Sequence, residues 1–364
     1  MRINKSNATF SSIVGIGQKV RKASIETGDD YLELNRGVNS VTNINLSNVI
    51  KDINPNSKEF QVYAPNKGIE KLRSSILKEY FPSDKNIENI SITPGGMPAL
   101  DLILQILDVD KFLFPNFHWG SYSKMAHIRK RDTEFYDNLE HLSKISNGGE
   151  CVFICDPNNP TGKKESDETL FSVIEEITSK GTIVIFDCPY RKLFYNDDFY
   201  DRIIKLDNII VTESFSKWIG LSGLRVGFIH SKNKDFNDEL NIRLLYEFNA
   251  VSAPPQMIID NILSTDNGRL ELNKFRESTA NDISKNIKYL SDNNLLANEI
   301  YKDEIPVGIF AIINKTEDDL FNNKIGAVGL DKFSGKEKEK WSKYSRICVS
   351  VPNNEFVKFV SKII

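Results

Sequence analysis

Between about residue 90 and residue 230 the chain alternates short apolar runs with stretches whose apolar positions recur every three or four residues. The runs at 89–93, 111–114, 151–155, 182–186, 208–212 and 225–230 have the length of strands and almost no polar interruption. Between them, Leu170, Val173, Ile174 and Ile177 fall on one side of a helix, and so do Leu100, Ile103, Leu104 and Leu107. Strands alternating with helices in this way predict an α/β fold, a mainly parallel sheet with helices on both faces.

The flanks have a different texture. Residues 267–290 carry Phe275, Ile283, Ile287 and Leu290 in a charged background, which predicts a long, partly exposed helix able to join two domains. Beyond it, 307–313 and 346–351 read as strands of a smaller α+β unit, and the first forty or so residues, with no sheet of their own, are expected to pack on that unit. The charge-rich stretch 332–343 reads as a solvated loop and helix face. A chain of 364 residues usually divides. The expected division is an N-terminal arm and part of the small domain at 1–43, a large domain at 44–266 and a C-terminal small domain at 267–364.

Charge and cysteine usage then narrow the function. A formal net charge of −3 gives no reason to expect nucleic-acid binding. Met1 to Asn7 is polar and lacks the apolar core of a signal peptide, and no segment has the uncharged length of a membrane span, so a cytoplasmic location is expected. Cys151, Cys155, Cys188 and Cys348 lie in or beside apolar runs without metal-ligand spacing; buried free thiols and no metal are expected.

The chemistry concentrates in one run. Ser214-Phe215-Ser216-Lys217, followed by Gly223, Arg225 and Gly227, puts an amine beside hydroxyls and a guanidinium. An amine forms a Schiff base with an aldehyde, while hydroxyls and a guanidinium donate to a phosphate dianion. Pyridoxal phosphate carries both groups, although a surface loop would account for the lysine alone. Upstream, the apolar run Ile183-Val184-Ile185-Phe186 ends in Asp187, with Tyr190 three residues on. Open α/β sheets place ligands at the C-terminal ends of their strands. An acid there keeps a pyridine nitrogen protonated, so that the ring draws electrons from a substrate carbanion.

Three further segments agree. Thr93-Pro94-Gly95-Gly96-Met97-Pro98 reads as a strand, a glycine turn and a helix start, where free N–H groups and the positive end of the dipole suit a phosphate. Phe117 and Trp119, just past a strand, each offer a face for a planar ring or simply fill the core. The turn Pro157-Asn158-Asn159-Pro160-Thr161-Gly162 is rigid for structural reasons alone, yet it also fixes the Asn159 amide where it can donate to a phenolate.

In order and spacing, Asn159-Pro160-Thr161-Gly162, Asp187-x-x-Tyr190, Ser214-x-Ser216-Lys217 and Gly223-x-Arg225-x-Gly227 resemble the class I/II aminotransferases. These are aspartate aminotransferase-like, fold-type I pyridoxal-phosphate enzymes, and the resemblance runs from about Tyr31 to Arg346. It implies pyridoxal 5'-phosphate as cofactor, held by Lys217 as an internal aldimine, with the same lysine carrying the substrate's α-proton. It implies Asp187 at the pyridinium, Asn159 and Tyr190 at the 3-oxygen, Phe117 as the stacking ring, and Gly96, Met97, Ser214, Ser216 and Arg225 around the phosphate. Arg346 matches the arginine that clamps the substrate α-carboxylate, with Gly37 and Asn159 beside it. Tyr63 resembles the tyrosine that reaches the phosphate of a neighbouring subunit, which implies a homodimer.

Two loops depart from the family pattern. Arg36-Gly37-Val38-Asn39-Ser40 stands where a Gly-x-Pro turn is usual, and Gly329-Leu330-Asp331-Lys332-Phe333 where a Pro-Gly turn precedes the last arginine. Arg36 and Arg243 are candidates to meet an acidic side chain, Trp119 or Phe333 an aromatic one, though solvation and packing explain all four; His118 and Met97 are unusual choices. The expected activity is transfer of an amino group from an L-amino acid to a 2-oxo acid. The alternatives are β-elimination, decarboxylation or oxidation on the same fold, and a regulator that keeps the fold without turnover. The last is disfavoured because only about thirty residues precede Tyr31 and every catalytic position holds a competent residue.

Overall fold

The computed structural model describes residues 1–195, 198–302 and 304–364. In chain order its first strands are β1 (Leu32–Glu33), β2 (Ile90–Thr93), β3 (Phe112–Pro115), β4 (Thr133–Tyr136), β5 (Cys151–Ile154) and β6 (Ile183–Asp187). They are followed by β7 (Ile209–Ser214), β8 (Gly227–Ser231), β9 (Phe310–Ile313), β10 (Ile325–Gly326), β11 (Val328–Gly329) and β12 (Ser345–Cys348).

Strands β2 to β8 make one seven-stranded sheet in the order β2-β8-β7-β6-β5-β3-β4. Its neighbours run parallel except at β8, which is antiparallel to both β2 and β7. The strands bury both faces, as their unbroken apolar runs require. In β5, Val152 and Ile154 join one core cluster while Cys151 and Phe153 join the other, the two-residue alternation of a strand. The helix Asp167–Ser179 turns Leu170, Ile174 and Ile177 to the first cluster, and the helix Gly96–Ile106 turns Leu100, Ile103 and Leu104 to the second. From β3 the chain steps outward to β4, then returns to β5, β6 and β7 on the other side. Connections that diverge at one point leave a crevice over the C-terminal ends of the strands.

The rest of the chain builds the wall opposite. Strands β11, β12 and β9 form an antiparallel sheet, and β1 pairs parallel with β10. The helix Asp266–Asp292 spans 27 residues, slightly more than its apolar stripe predicts. Near its start Phe275 packs on Gly220, three residues past Lys217, and near its end Asn286 donates to the carbonyls of Val349 and Val351 at 2.9 Å each.

The structure departs from or adds to the expectations at three places. The 332–343 stretch is not solvated throughout, because Phe333, Ser334 and Trp341 are buried. The N-terminal forty residues contribute β1. β4, with Thr133 exposed and Glu134 and Phe135 half-buried, is an edge strand whose mixed pattern gives no continuous apolar run.

Candidate active site

Ser214 ends β7 and caps the single turn Phe215–Trp218 that carries Lys217: its Oγ accepts the Ser216 amide at 3.3 Å and lies 2.9 Å from Ser216 Oγ. Arg225, in the left-handed region at φ 54°, donates through Nη1 to the Ser222 carbonyl at 2.9 Å. The same guanidinium reaches Ser216 Oγ and the Pro94 carbonyl at 3.4 Å each, drawing the turn after β2 to the turn after β7. That approach requires glycine. Gly95 has φ +97°, and a Cβ there would lie 2.6 Å from Arg225 Nη2; a Cβ on Gly96 would lie 3.3 Å from that of Ser214. The helix Gly96–Ile106 opens at the same spot, and first-turn amides have no partner within a helix. Hydroxyls, amides and a guanidinium therefore converge on a cradle kept free of carbon.

This cradle is one end of a cavity of about 520 Å3. Lys217 Nζ projects into it and donates to the carbonyl of Gly37 at 2.5 Å. Burial lowers the lysine pKa to about 8; Cys348 opposes the shift, and the guanidiniums of Arg346, Arg225 and Arg36 reinforce it. Asp187, at the end of β6, accepts a hydrogen bond from the buried Tyr122 hydroxyl, and burial raises its pKa to about 6 in spite of that bond. Asn159 donates through Nδ2 to Tyr190 Oη at 3.2 Å and accepts from Arg346 Nη1 at 3.1 Å.

Arg346 comes from β12 on the opposite wall and is 1% exposed. Its Nη2 donates to the Asn35 carbonyl, its Nε has no partner among the described residues, and its guanidinium lies 4.2 Å from the Phe310 ring and 4.5 Å from the Phe333 ring. Burial lowers its pKa to about 10. The turn bearing Asn159 is pinned to the same wall: Tyr301 Oη donates to the Thr161 carbonyl at 2.6 Å, and Val307 donates to that of Gly162 at 2.9 Å.

Lys217, Asp187, Tyr190, Asn159, Ser214, Ser216, Arg225, Gly96, Met97, Arg346 and Gly37 thus share one cavity. Phe117 does not join them. It faces a separate cavity, edge-on to Trp341 with 4.9 Å between ring centroids, because backbone pairing with Ser334 ties its segment to the far wall. Trp119, two residues on, lines the site instead. Tyr63 lies on a surface groove and is 81% exposed.

Arg36 lines the site, whereas Arg243 is bound to Glu239 at 2.7 Å and Gln105 at 3.0 Å on another helix. Phe333 stacks on Arg346. His118 is buried against Ser123 Oγ and the carbonyls of Pro115 and Asn116, with its pKa lowered to about 4 by burial, so its role is packing. Tyr122, the partner of Asp187, carries no local sequence signal. Its only hint is the helical spacing that puts it one turn after Trp119.

The four cysteines are free and buried, and no cluster of metal-ligating side chains occurs among the described residues. No helix among them is long and apolar enough to cross a membrane. The "Probable aspartate aminotransferase" of Methanocaldococcus jannaschii is 30% identical over 193 residues, 50% of this chain and 51% of that protein. A histidinol-phosphate aminotransferase of Thermoanaerobacter sp. is 31% identical over 233 residues, 60% of this chain and 63% of that one. The chain spans about half the length of the first curated relatives it matches, 51% and 47%.

Among solved structures, the aspartate aminotransferase from Thermus thermophilus with maleate matches 100% of this chain and 99% of its own, with a TM-score of 0.84 at 16% identity. An archaeal alanine:glyoxylate aminotransferase matches 98% and 95%, with a TM-score of 0.84 at 18% identity. These likenesses show the aspartate aminotransferase-like fold. The family model for aminotransferase class I and II matches residues 29–362, so the chain belongs to that family, whose members depend on pyridoxal phosphate.

Proposed function

We propose that this chain is a pyridoxal-phosphate-dependent aminotransferase that moves an amino group from an L-amino acid to a 2-oxo acid. Arg346 carries the reading. A guanidinium 1% exposed, with no carboxylate partner among the described residues and an unpartnered Nε, is costly to bury unless an anion completes it. An α-carboxylate has the charge and the fork geometry to do so.

The remaining open groups fit the cofactor. The cradle of Ser214, Ser216, Arg225 and the Gly96 and Met97 amides suits its phosphate, and Asp187 suits its ring nitrogen. Asn159 and Tyr190 suit its 3-oxygen, and Trp119 its ring face. When bound, the cofactor supplies an electron sink for the substrate's α-carbanion.

The chain's own residues do the rest. Arg346 fixes the carboxylate and so orients the α-hydrogen. Lys217, with a pKa near the working range, takes that proton at Nζ and returns it. Asp187, ionised above about pH 6, holds the proton on the ring nitrogen, and Tyr122 fixes its orientation. Arg36 and Trp119 are left to read the substrate side chain. Tyr63, exposed and away from its own cavity, supports a homodimer in which it serves the site of a second copy.

Product analysis tests the activity. With an amino acid and a 2-oxo acid, the protein should yield a second amino acid in stoichiometric amount, and Lys217→Ala should lose roughly 100-fold or more in turnover. Ammonia, carbon dioxide or peroxide as the product would overturn the transamination, and normal turnover by Lys217→Ala would remove the lysine from its role.

A further inference from the structure

Glu213 lies directly behind the site, one residue before Ser214, and is fully buried. Its Oε1 accepts the Ser214 amide at 2.9 Å. Its Oε2 is 2.9 Å from Tyr200 Oη, which is also 3.1 Å from the carbonyl of Cys188, the residue after Asp187. Tyr200 has one hydrogen and two oxygens to give it to. With Glu213 ionised, one of those two contacts holds no proton. With Glu213 protonated, the carboxyl donates to Tyr200 Oη and Tyr200 donates to Cys188, so that both become hydrogen bonds.

The surroundings favour the neutral form. Lys192, the cation that bears on Glu213, is engaged by the carboxylate of Glu79 at 3.0 Å and by its carbonyl at 2.8 Å. Tyr80, which also feels the Glu213 charge, is neutral, and Asp187, which also bears on Glu213, is an acid. Burial, with Asp187 adding to it, pushes the Glu213 carboxyl well above the usual range against the pull of the Ser214 amide, Tyr200 and Lys192.

We propose that Glu213 stays protonated and is a positioning residue, locking the Ser214 cradle to the Asp187 strand end through Tyr200 and leaving the negative charge of the site to Asp187. The positioning half rests on the cofactor reading above; the protonation half does not.

Infrared difference spectra between the parent chain and Glu213→Gln, taken without cofactor at pH 8, test the protonation. A protonated-carboxyl carbonyl band present in the parent and missing from the variant is expected, and its absence from the parent overturns the proposal. Fluorimetric titration with pyridoxal phosphate tests the positioning. Glu213→Gln, which keeps a donor and an acceptor without charge, should stay within about twofold of the parent in Kd, whereas Glu213→Ala should weaken binding about tenfold. A Gln variant as impaired as Ala would overturn the neutral role.

Tyr200→Phe breaks the bridge without touching the acid and serves if the Ala variant does not fold. It too should weaken cofactor binding, and an unchanged Kd would sink the coupling. A parent that binds no pyridoxal phosphate would refute the cofactor reading instead, while the infrared result would still decide the state of Glu213.

Discussion

A carboxylate that no cation balances is expensive to bury, and among the described residues Asp187 is one: 6% exposed, hydrogen-bonded there by Tyr122 alone, its pKa raised from 3.8 to about 6. The sign follows from the shift. Below about pH 4 the group is neutral in folded and unfolded chains and costs nothing, and above about pH 6 the folded chain bears the whole cost of charging it. Asp187→Asn keeps an acceptor for Tyr122 and removes the charge. In the cofactor-free protein it should raise stability by about 3 kcal/mol at pH 7 and above, with the gain fading between about pH 6 and pH 4. Urea unfolding of parent and variant at pH 4 and pH 8 measures it; equal stability at pH 8 would mean that the charge is balanced within the fold. Activity should be lost in the same variant, as expected where a site holds a strained charge for function. Asp187, Lys217, Asn159, Tyr190 and Arg225 were legible in the sequence because each sits in a short string whose spacing carries the chemistry. Tyr122 was not, since its partner is 65 residues away and only the packing of the helix Ser121–Ile128 against the end of β6 brings them together. Phe117 and Trp119 show the same limit over two residues: both are aromatic and follow one strand, and a tertiary backbone pairing decides which faces the cavity.

Elements were legible where burial is uniform. The five inner strands of the large sheet and β2 fall within a residue or two of their apolar runs, whereas β4, at an edge with exposed and half-buried positions, follows no such run. The sequence run at 225–230 also starts β8 two residues early, because Arg225 belongs to the turn and adopts φ 54°. Turn geometry at that junction is invisible to an apolar pattern, yet it sets the cradle of hydroxyls, amides and guanidinium proposed to hold the phosphate. The paired turn at Gly95 gives a sharp test. At φ 97° and ψ 176° an alanine costs roughly 1–3 kcal/mol in backbone strain, and its Cβ would displace the Arg225 guanidinium from 2.6 Å away. Gly95→Ala should therefore lower stability by about that amount in thermal unfolding and weaken pyridoxal-phosphate binding tenfold or more, the loss of a charge-assisted contact. Binding that is unchanged in a destabilised variant would place the phosphate away from this turn.

At the scale of the whole molecule, the cavity exists only because two sheets and the N-terminal segment meet. Lys217 is held to Gly37, Arg346 to Asn35 and Thr161 to Tyr301 across that seam. Tyr63 takes no part in it, although its surroundings in sequence match a residue that touches the phosphate. It lies on an exposed groove, and in the proposed homodimer its hydroxyl would serve the site of a second copy. In a symmetric pair, each site would combine the Lys217 of one chain with the Tyr63 of the other. That separation can be read by complementation. Lys217→Ala alone should be inactive, and Tyr63→Phe alone should bind pyridoxal phosphate about tenfold more weakly and so be nearly inactive at limiting cofactor. Co-expressed in equal amounts, the two variants form mixed pairs in about half of the dimers, and one of the two sites in each mixed pair has both residues intact. Activity at limiting cofactor should then recover to about a quarter of the parent's. If differently tagged variants co-purify as mixed pairs and activity stays at the average of the separate variants, Tyr63 does not cross between subunits.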